Sequence, residues 1–212
     1  MPAEKGTGSF TKPPEGPPSG GPGTRRRGGA LESAIFDAVF EEIHAVGYGR
    51  LTMEGVATAA QTGKAALYRR WNSKDELIRD ALLHALPDPA ALPFHDSVRE
   101  DLMELLLCLR TTVEVTKGAT FQILKAETMK DGRGLLHAVV RERVTDPLKD
   151  LIEQALRRGA ERGEVRPEAA TRLVATVGPA MVTAYCLTDG TDVPDEYLRA
   201  VVDEVLMPLL RP

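Results

Sequence analysis

Lys64, Tyr68 and Arg69 stand at helical spacing in the segment 62–78, TGKAALYRRWNSKDELI. An ammonium and a phenol four residues apart lie on one side of a helix, with the guanidinium beside them. Such a set supplies positive charge and hydrogen-bond donors to phosphates, and a guanidinium can also read base edges. Ala65 and Ala66 keep the surface between them low. A helix carrying them can come close to base edges, and an alanine methyl can touch a thymine methyl. Thr52 and Lys74 flank the segment and would clamp the nucleic-acid backbone. Taken singly, paired arginines usually mark a solvated helix face, and Arg70 has no role legible from sequence. Leu67 and Trp71, four apart, take the opposite face, where a tryptophan belongs in the core.

Elements that could position this surface follow from periodicity and caps. Leu31, Ile35, Ala38, Val39, Ile43 and Val46 recur at helical spacing, and Gly47 stops that first helix. Thr52 can cap a short second helix, 53–60. Gln61-Thr62-Gly63 makes a break, and a third helix is expected over 64–71. Ser73 with Glu76 forms a capping box for a fourth helix ending at Pro87. Two short helices around a tight break are the arrangement of a helix-turn-helix.

Residues 51–78 closely resemble the DNA-binding segment of the TetR family of transcriptional regulators. The resemblance rests on Leu51-Thr52, Val56-Ala57, Ala60, Lys64, Leu67-Tyr68-Arg69, Trp71, Ser73-Lys74 and Leu77, with Phe40 and Gly47-Tyr48 before them. It implies a homodimer on a near-palindromic operator, usually a repressor released by a small molecule. It also implies that Thr52, Lys64, Tyr68 and Lys74 touch the DNA backbone, while Ala65, Ala66 and Arg69 lie near bases. Arg26 and Arg27 stand where the family often has a basic arm that can enter the minor groove; a solubilising charge run is the other reading. The break departs from the family's usual Gly-Val-Ser. Gln61 must therefore make a turn that glycine ordinarily permits. Gly63 replaces the serine cap, at a cost of ~0.5 kcal/mol or less, unless Thr62 caps a helix starting one residue earlier.

The rest of the chain reads as helical, so the fold class is all-α. An N-terminal three-helix helix-turn-helix DNA-binding domain is followed by a larger helical ligand-binding and dimerisation domain. The domains are 1–27, a Gly/Pro-rich tail with a basic arm; 28–86, the helix-turn-helix with its connecting helix; and 87–212, for effector binding and dimerisation. Prolines and an aspartate between Pro87 and Pro93 mark the boundary. Expected helices beyond it are 97–116, with a second capping box at Ser97 and Glu100, then 119–130, a turn at 131–134, and 135–163 kinked at Pro147. Further helices follow at 167–187, bent at Gly178-Pro179, and from Pro194 to about 206.

Leu173, Val177, Met181, Tyr185, Val201, Val205 and Leu206 supply the apolar face expected at the dimer contact; the same residues could instead close the subunit core. An effector pocket would draw on Met103, Leu106, Leu107, Phe121, Leu124 and Met181. Gln122, His137, Arg141, Thr176 and Tyr185 would be its polar groups.

The chain of 212 residues has a formal net charge of -4. That excludes a protein coating nucleic acid non-specifically and leaves room for a small local DNA surface. Residues 25–86 carry nine Lys/Arg against eight Asp/Glu, whereas 87–212 carry 16 against 21. Cys108 and Cys186 read as buried free thiols of a reducing compartment. With no apolar leader and no membrane-length apolar run, the cytoplasm is the expected location. Glu41-Glu42 and the glutamate beside Arg141 and Arg143 lack the spacing of an acid–base site. No catalytic group, metal or cofactor is called for, and the chain is not expected to be an enzyme. The alternative to DNA binding is a helical protein–protein adaptor.

Overall fold

A computed structural model describes residues 28–128 and 134–212. Arg26, Arg27 and most of the turn expected at 131–134 lie outside the described residues. The described chain is built from helices. α1 (Gly29–Val46) buries Ile35, Phe36, Val39, Phe40 and Ile43 along one face, and Gly47, at φ 85°, ends it. α2 (Met53–Ala59) starts where Thr52 Oγ1 accepts the Gly55 N–H at 3.1 Å.

Gln61 does take the turn conformation that glycine favours, with φ 52°. It occupies the left-handed position of a Schellman ending. Its N–H bonds the Thr58 carbonyl at 3.0 Å, and the Thr62 N–H bonds the Ala57 carbonyl at 2.9 Å. Left-handed backbone costs a side-chain-bearing residue roughly 1–2 kcal/mol, while glycine gives back about 0.4–1 kcal/mol through the unfolded chain. Gln61→Gly should therefore stabilise the protein by up to about 1 kcal/mol, the balance of the two terms. Urea unfolding measures this, and a clear loss of stability would show that the turn is unstrained.

α3 (Lys64–Tyr68) begins after Gly63, which is extended at φ -77° and offers no side-chain cap. Thr62 does not take that role. The helix is shorter than expected, and Arg69 and Arg70 sit in the turn that closes it. α4 (Lys74–Ala85) is capped by Ser73, which accepts the Glu76 N–H at 3.1 Å. Glu76 reaches back to the Asn72 N–H at 2.8 Å, so the box closes one residue earlier than the usual pattern. The second expected box does not form. Ser97 makes no cap bond, and the Val98 N–H that opens α5 (Val98–Val115) is taken by Glu164 at 2.8 Å.

α6 (Ala119–Thr128) follows a turn in which Lys117 and Gly118 are both left-handed, at φ 50° and 74°. α7 (Leu135–Val140) continues through a π-helical stretch, Arg141–Thr145, into α8 (Asp146–Glu161). Pro147 lacks an N–H, and its ring crowds the carbonyl four residues back. Widening the preceding turns accommodates it without ending the helix. The same device precedes Pro208: α11 (Asp195–Ala200) passes through π-helical Val201–Leu206 into α12 (Met207–Leu210). The last helix thus runs beyond the expected end at 206. The helix expected from Pro167 is divided into a 3-10 turn, Pro167–Ala169, then α9 (Arg172–Ala175) and α10 (Val177–Thr188). Gly178 is needed where α10 crosses its neighbours. A Cβ there would stand 3.1 Å from Leu106 Cδ2 and 3.2 Å from Leu206 Cδ1.

Two hydrophobic cores result. The first gathers α1–α4 and also draws in Ala119, Ile123, Leu136, Val140 and Val144 from α6, α7 and the π-helical stretch. The second joins α5 and α8 with the C-terminal helices. Val201 and Leu206, expected on a dimer face, are only 1% and 4% exposed and belong to this second core. Outward positions of the last helix are instead charged: Asp195, Glu196, Arg199, Asp203 and Glu204. Cys108 and Cys186 are free and buried, and burial pushes the Cys186 thiol up to about 11. Among the described residues no helix is long and apolar enough to cross a membrane.

Candidate nucleic-acid interface

α3 is anchored from beneath. Leu67 is fully buried and Trp71 nearly so. The Trp71 ring meets Phe36 edge-on, with centroids 5.8 Å apart, and its indole N–H donates to Asp80 Oδ2 at 2.9 Å. Arg79 pairs with the other Asp80 oxygen at 2.8 Å. Arg70, without a role in the sequence, ties α3 back to α1. Its Nη1 donates to Glu32 at 2.8 Å, and its guanidinium lies 5.9 Å from the Trp71 ring centroid.

The outward face holds Lys64, Ala65, Tyr68 and Arg69, all exposed, with Ala66 half-buried at its edge. The Lys64 ammonium lies 5.7 Å from the centroid of the Tyr68 ring and is ion-paired with Glu54 on α2. Their hydrogen bond holds the Glu54 carboxyl below its ordinary pKa and Lys64 above its own. Both groups are exposed, so the pair is weak, and a phosphate can replace the carboxylate. Thr52 accepts one backbone N–H and retains its hydroxyl proton for a phosphate oxygen. Lys74, at the start of α4, sits 5.3 Å over the Tyr48 ring. Burial pushes the Tyr48 phenol up to about 12, so the ring remains a neutral platform for the ammonium. The structure thus sets Lys64, Ala65, Ala66, Tyr68 and Arg69 on and just after α3, ties Lys64 to Glu54 of the helix that Thr52 caps, and seats Lys74, at the start of α4, on Tyr48 of the α1–α4 reading head. Glu54 and the buried Tyr48 are the supports that sequence reading missed. Glu54 lies on another helix from Lys64, and no sequence spacing signals the pair.

The residues expected at an effector pocket line no single cavity, although Met103, Leu106, Leu107, Phe121, Met181 and Tyr185 all pack in or against the second core. Phe121 and Leu124 line an interior cavity. Met103 and Leu107 face an open groove of about 450 Å³ along the outside of α5. Leu106 is fully buried in the second core. Gln122 points to the reading head, where its Oε1 accepts the Tyr48 N–H at 3.2 Å. The His137 backbone N–H donates to Glu127 at 2.5 Å, and Arg141 is exposed and paired with Asp146 at 3.2 Å. Thr176 donates to the Leu173 carbonyl at 2.6 Å. Tyr185 packs on Tyr197 with centroids 4.5 Å apart, and the Tyr197 hydroxyl donates to the Met181 carbonyl. A helical face can be read from sequence. Which neighbour it meets depends on helices distant in the chain.

A capped short helix, a tight ending and a second short helix with a cationic outer face, all mounted on a helical body, define a helix-turn-helix transcriptional regulator. Residues 35–81 match the family model described as bacterial regulatory proteins, tetR family, and residues 92–205 match that for the tetracyclin repressor-like C-terminal domain. The chain belongs to the TetR family, whose members bind DNA and are not enzymes. A DNA-binding transcriptional repressor, TetR, from Mycobacteroides abscessus is 29% identical over 197 residues, covering 88% of this chain and 97% of that one. A putative TetR-family regulator from a Rhodococcus species shares the fold with a TM-score of 0.66 at 18% identity, covering 85% of this chain and 98% of that one. So does a putative regulator from Saccharomonospora viridis in complex with choline, with a TM-score of 0.65 at 18% identity, covering 82% and 93%.

Proposed function

We propose that the protein is a homodimeric repressor that binds a near-palindromic operator and is released from it by a small-molecule effector. Residues 28–86 would read DNA, and 87–212 would sense and dimerise. One observation carries the DNA reading. The inner face of α3 is locked by Leu67 and Trp71, while Lys64, Tyr68 and Arg69 are exposed on the other face, Lys64 held by its exposed pair with Glu54. In a two-fold dimer the two α3 helices would enter successive major grooves, about 34–36 Å apart.

The dimer contact falls on α9 and α10. From residue 173 to 188 the sequence has no Asp, Glu, Lys or Arg. Leu173 is 77% exposed and Leu187 57%. Ala180 and Ala184 are exposed between them, with Val177, Met181 and Tyr185 partly so. A flat, uncharged stripe of this kind suits an isologous helix pair. Val205, part-buried on the last helix, would lie at its margin. The Saccharomonospora viridis protein of the same fold was solved in complex with choline, which supports a small-molecule effector.

Selection of bound fragments from genomic DNA with the purified protein tests the proposal. Recovery of a two-fold symmetric sequence is expected, and recovery of no sequence would overturn it. On that operator, Lys64→Ala should weaken binding to every sequence alike. It should also reduce the slope of log affinity against log salt by about one. An unchanged slope would remove Lys64 from the phosphate contacts.

A further inference from the structure

α2 brings an acid to the surface that faces DNA. Glu54, in the first turn of α2, is exposed, and its carboxylate is ion-paired with Lys64 across the break between α2 and α3. The Lys64 hydrogen bond does most to hold the Glu54 pKa down, and the Tyr68 hydroxyl contributes. The group is therefore ionised at neutral pH. Among the described residues its side-chain partners are Lys64 and Tyr68, the two groups of α3 expected on phosphates.

The backbone beneath this carboxylate is fixed. Thr52 Oγ1 accepts the Gly55 N–H at 3.1 Å, and the Thr58 hydroxyl donates to the Glu54 carbonyl at 3.0 Å. Gly55 is pressed against α1, where a Cβ would stand 2.7 Å from Glu42 Oε2. Only the Glu54 side chain is left to adjust to what docks. Glu76 and Asp80, by contrast, are tied within the fold, Glu76 to Asn72 and Asp80 to Trp71 and Arg79.

Docking removes the partners of Glu54. Phosphates that take Lys64 and Tyr68 leave the carboxylate alone in an interface that excludes water. A carboxylate accepts hydrogen bonds and donates none, so phosphate oxygens cannot satisfy it. Left unpaired it weakens binding. The base edges of the major groove offer two donors, the amino groups of cytosine and adenine; guanine shows acceptors there, and thymine an acceptor and a methyl. The adenine amine stands beside the N7 acceptor, which repels a carboxylate. The cytosine amine has no such neighbour on its own base.

We infer that Glu54 is a specificity-determining residue of the reading head: released from Lys64, it accepts a hydrogen bond from the N4 amino group of a cytosine in each half-site. On other DNA the carboxylate keeps Lys64 from the backbone or stands unpaired. This rests on the two-fold operator proposed above.

The test selects sites from random-sequence DNA with the wild type, Glu54→Gln and Glu54→Ala, and measures the recovered sites by fluorescence anisotropy. The wild type should recover a cytosine, on one strand or the other, at one position of each half-site. Replacing that base pair should weaken binding at least about fivefold per half-site, the low end for a mismatch. Glu54→Gln should prefer adenine there, since an amide pairs with adenine N6 and N7. Glu54→Ala should lose the preference at this position and keep it at the others. Lys64→Ala should bind the operator and its cytosine-replaced form more weakly, with the ratio between them preserved. Both Glu54 variants should fold, because the side chain is exposed; if the alanine variant does not, the isosteric glutamine variant decides. Identical sequence preferences in the wild type and the Glu54 variants would overturn the assignment, as would a responding position that is not cytosine in the wild type. Loss of the cytosine preference in Lys64→Ala would also overturn it, reducing Glu54 to a support for Lys64. A wild type that selects no sequence would refute the operator reading itself, and this inference with it.

Discussion

Trp71→Ala should destabilise the protein by about 3–5 kcal/mol, the range for emptying a buried aromatic site, and abolish operator binding at temperatures where the wild type still binds. The side chain is 4% exposed and closes the space between α1, α3 and α4. Removing it leaves Phe36 without its edge-on partner and Asp80 without the indole N–H. Arg70 also loses the ring beneath its guanidinium, and with it part of the link from α3 to Glu32 on α1. Trp71→Phe should cost much less, because it keeps most of the apolar contact and forfeits chiefly one hydrogen bond, net about 1 kcal/mol. Urea unfolding followed by far-UV circular dichroism compares the three proteins, since the variants lose the chain's one tryptophan as a fluorescent reporter. A loss below about 1 kcal/mol for the alanine variant, well under the range for buried aromatics, would show that α3 is held by something else.

A comparable effect on function is expected from Ala184→Asp. Ala184 is exposed on α10 in the middle of the uncharged stripe from residue 173 to 188. In the proposed dimer the two stripes face each other, so the substitution buries a like-charge pair near the two-fold axis. Sedimentation should show a monomer at concentrations where the wild type is a dimer. Operator affinity should fall about 10²–10⁴-fold, the usual advantage of two linked half-sites over one. The fold of the single subunit should survive, because the side chain points away from both cores. A dimeric Ala184→Asp protein with unchanged affinity would move the contact elsewhere.

The reading head was legible because its signals are local. Thr52, Ser73 and Glu76 cap helices a few residues away. The conflict at Gln61 could be stated from a tripeptide and resolved by one φ angle. Lys64 and Tyr68 share a face because five residues of helix put them there, and Arg69 follows in the turn that closes it. The same local logic failed at Ser97, which makes no cap bond, and the Val98 N–H that opens its helix goes instead to Glu164, 66 residues away.

Helix positions, the all-α class and the cationic outer face of α3 were determined by the sequence itself, since 3.6-residue periodicity, caps and breakers act within one or two turns. Only tertiary structure decided what covers each apolar face. Val201 and Leu206 lie on an apolar face that the sequence could assign either to a partner subunit or to the subunit's own interior, and they close the second core. α6 and α7 follow the linker in sequence, yet Ile123, Leu136 and Val140 join the core of the reading head. Arg70, Gln122 and Tyr48 acquired roles from partners 38 to 74 residues away. Periodicity shows that a face must be buried, and the choice of partner rests on packing among segments distant in the chain.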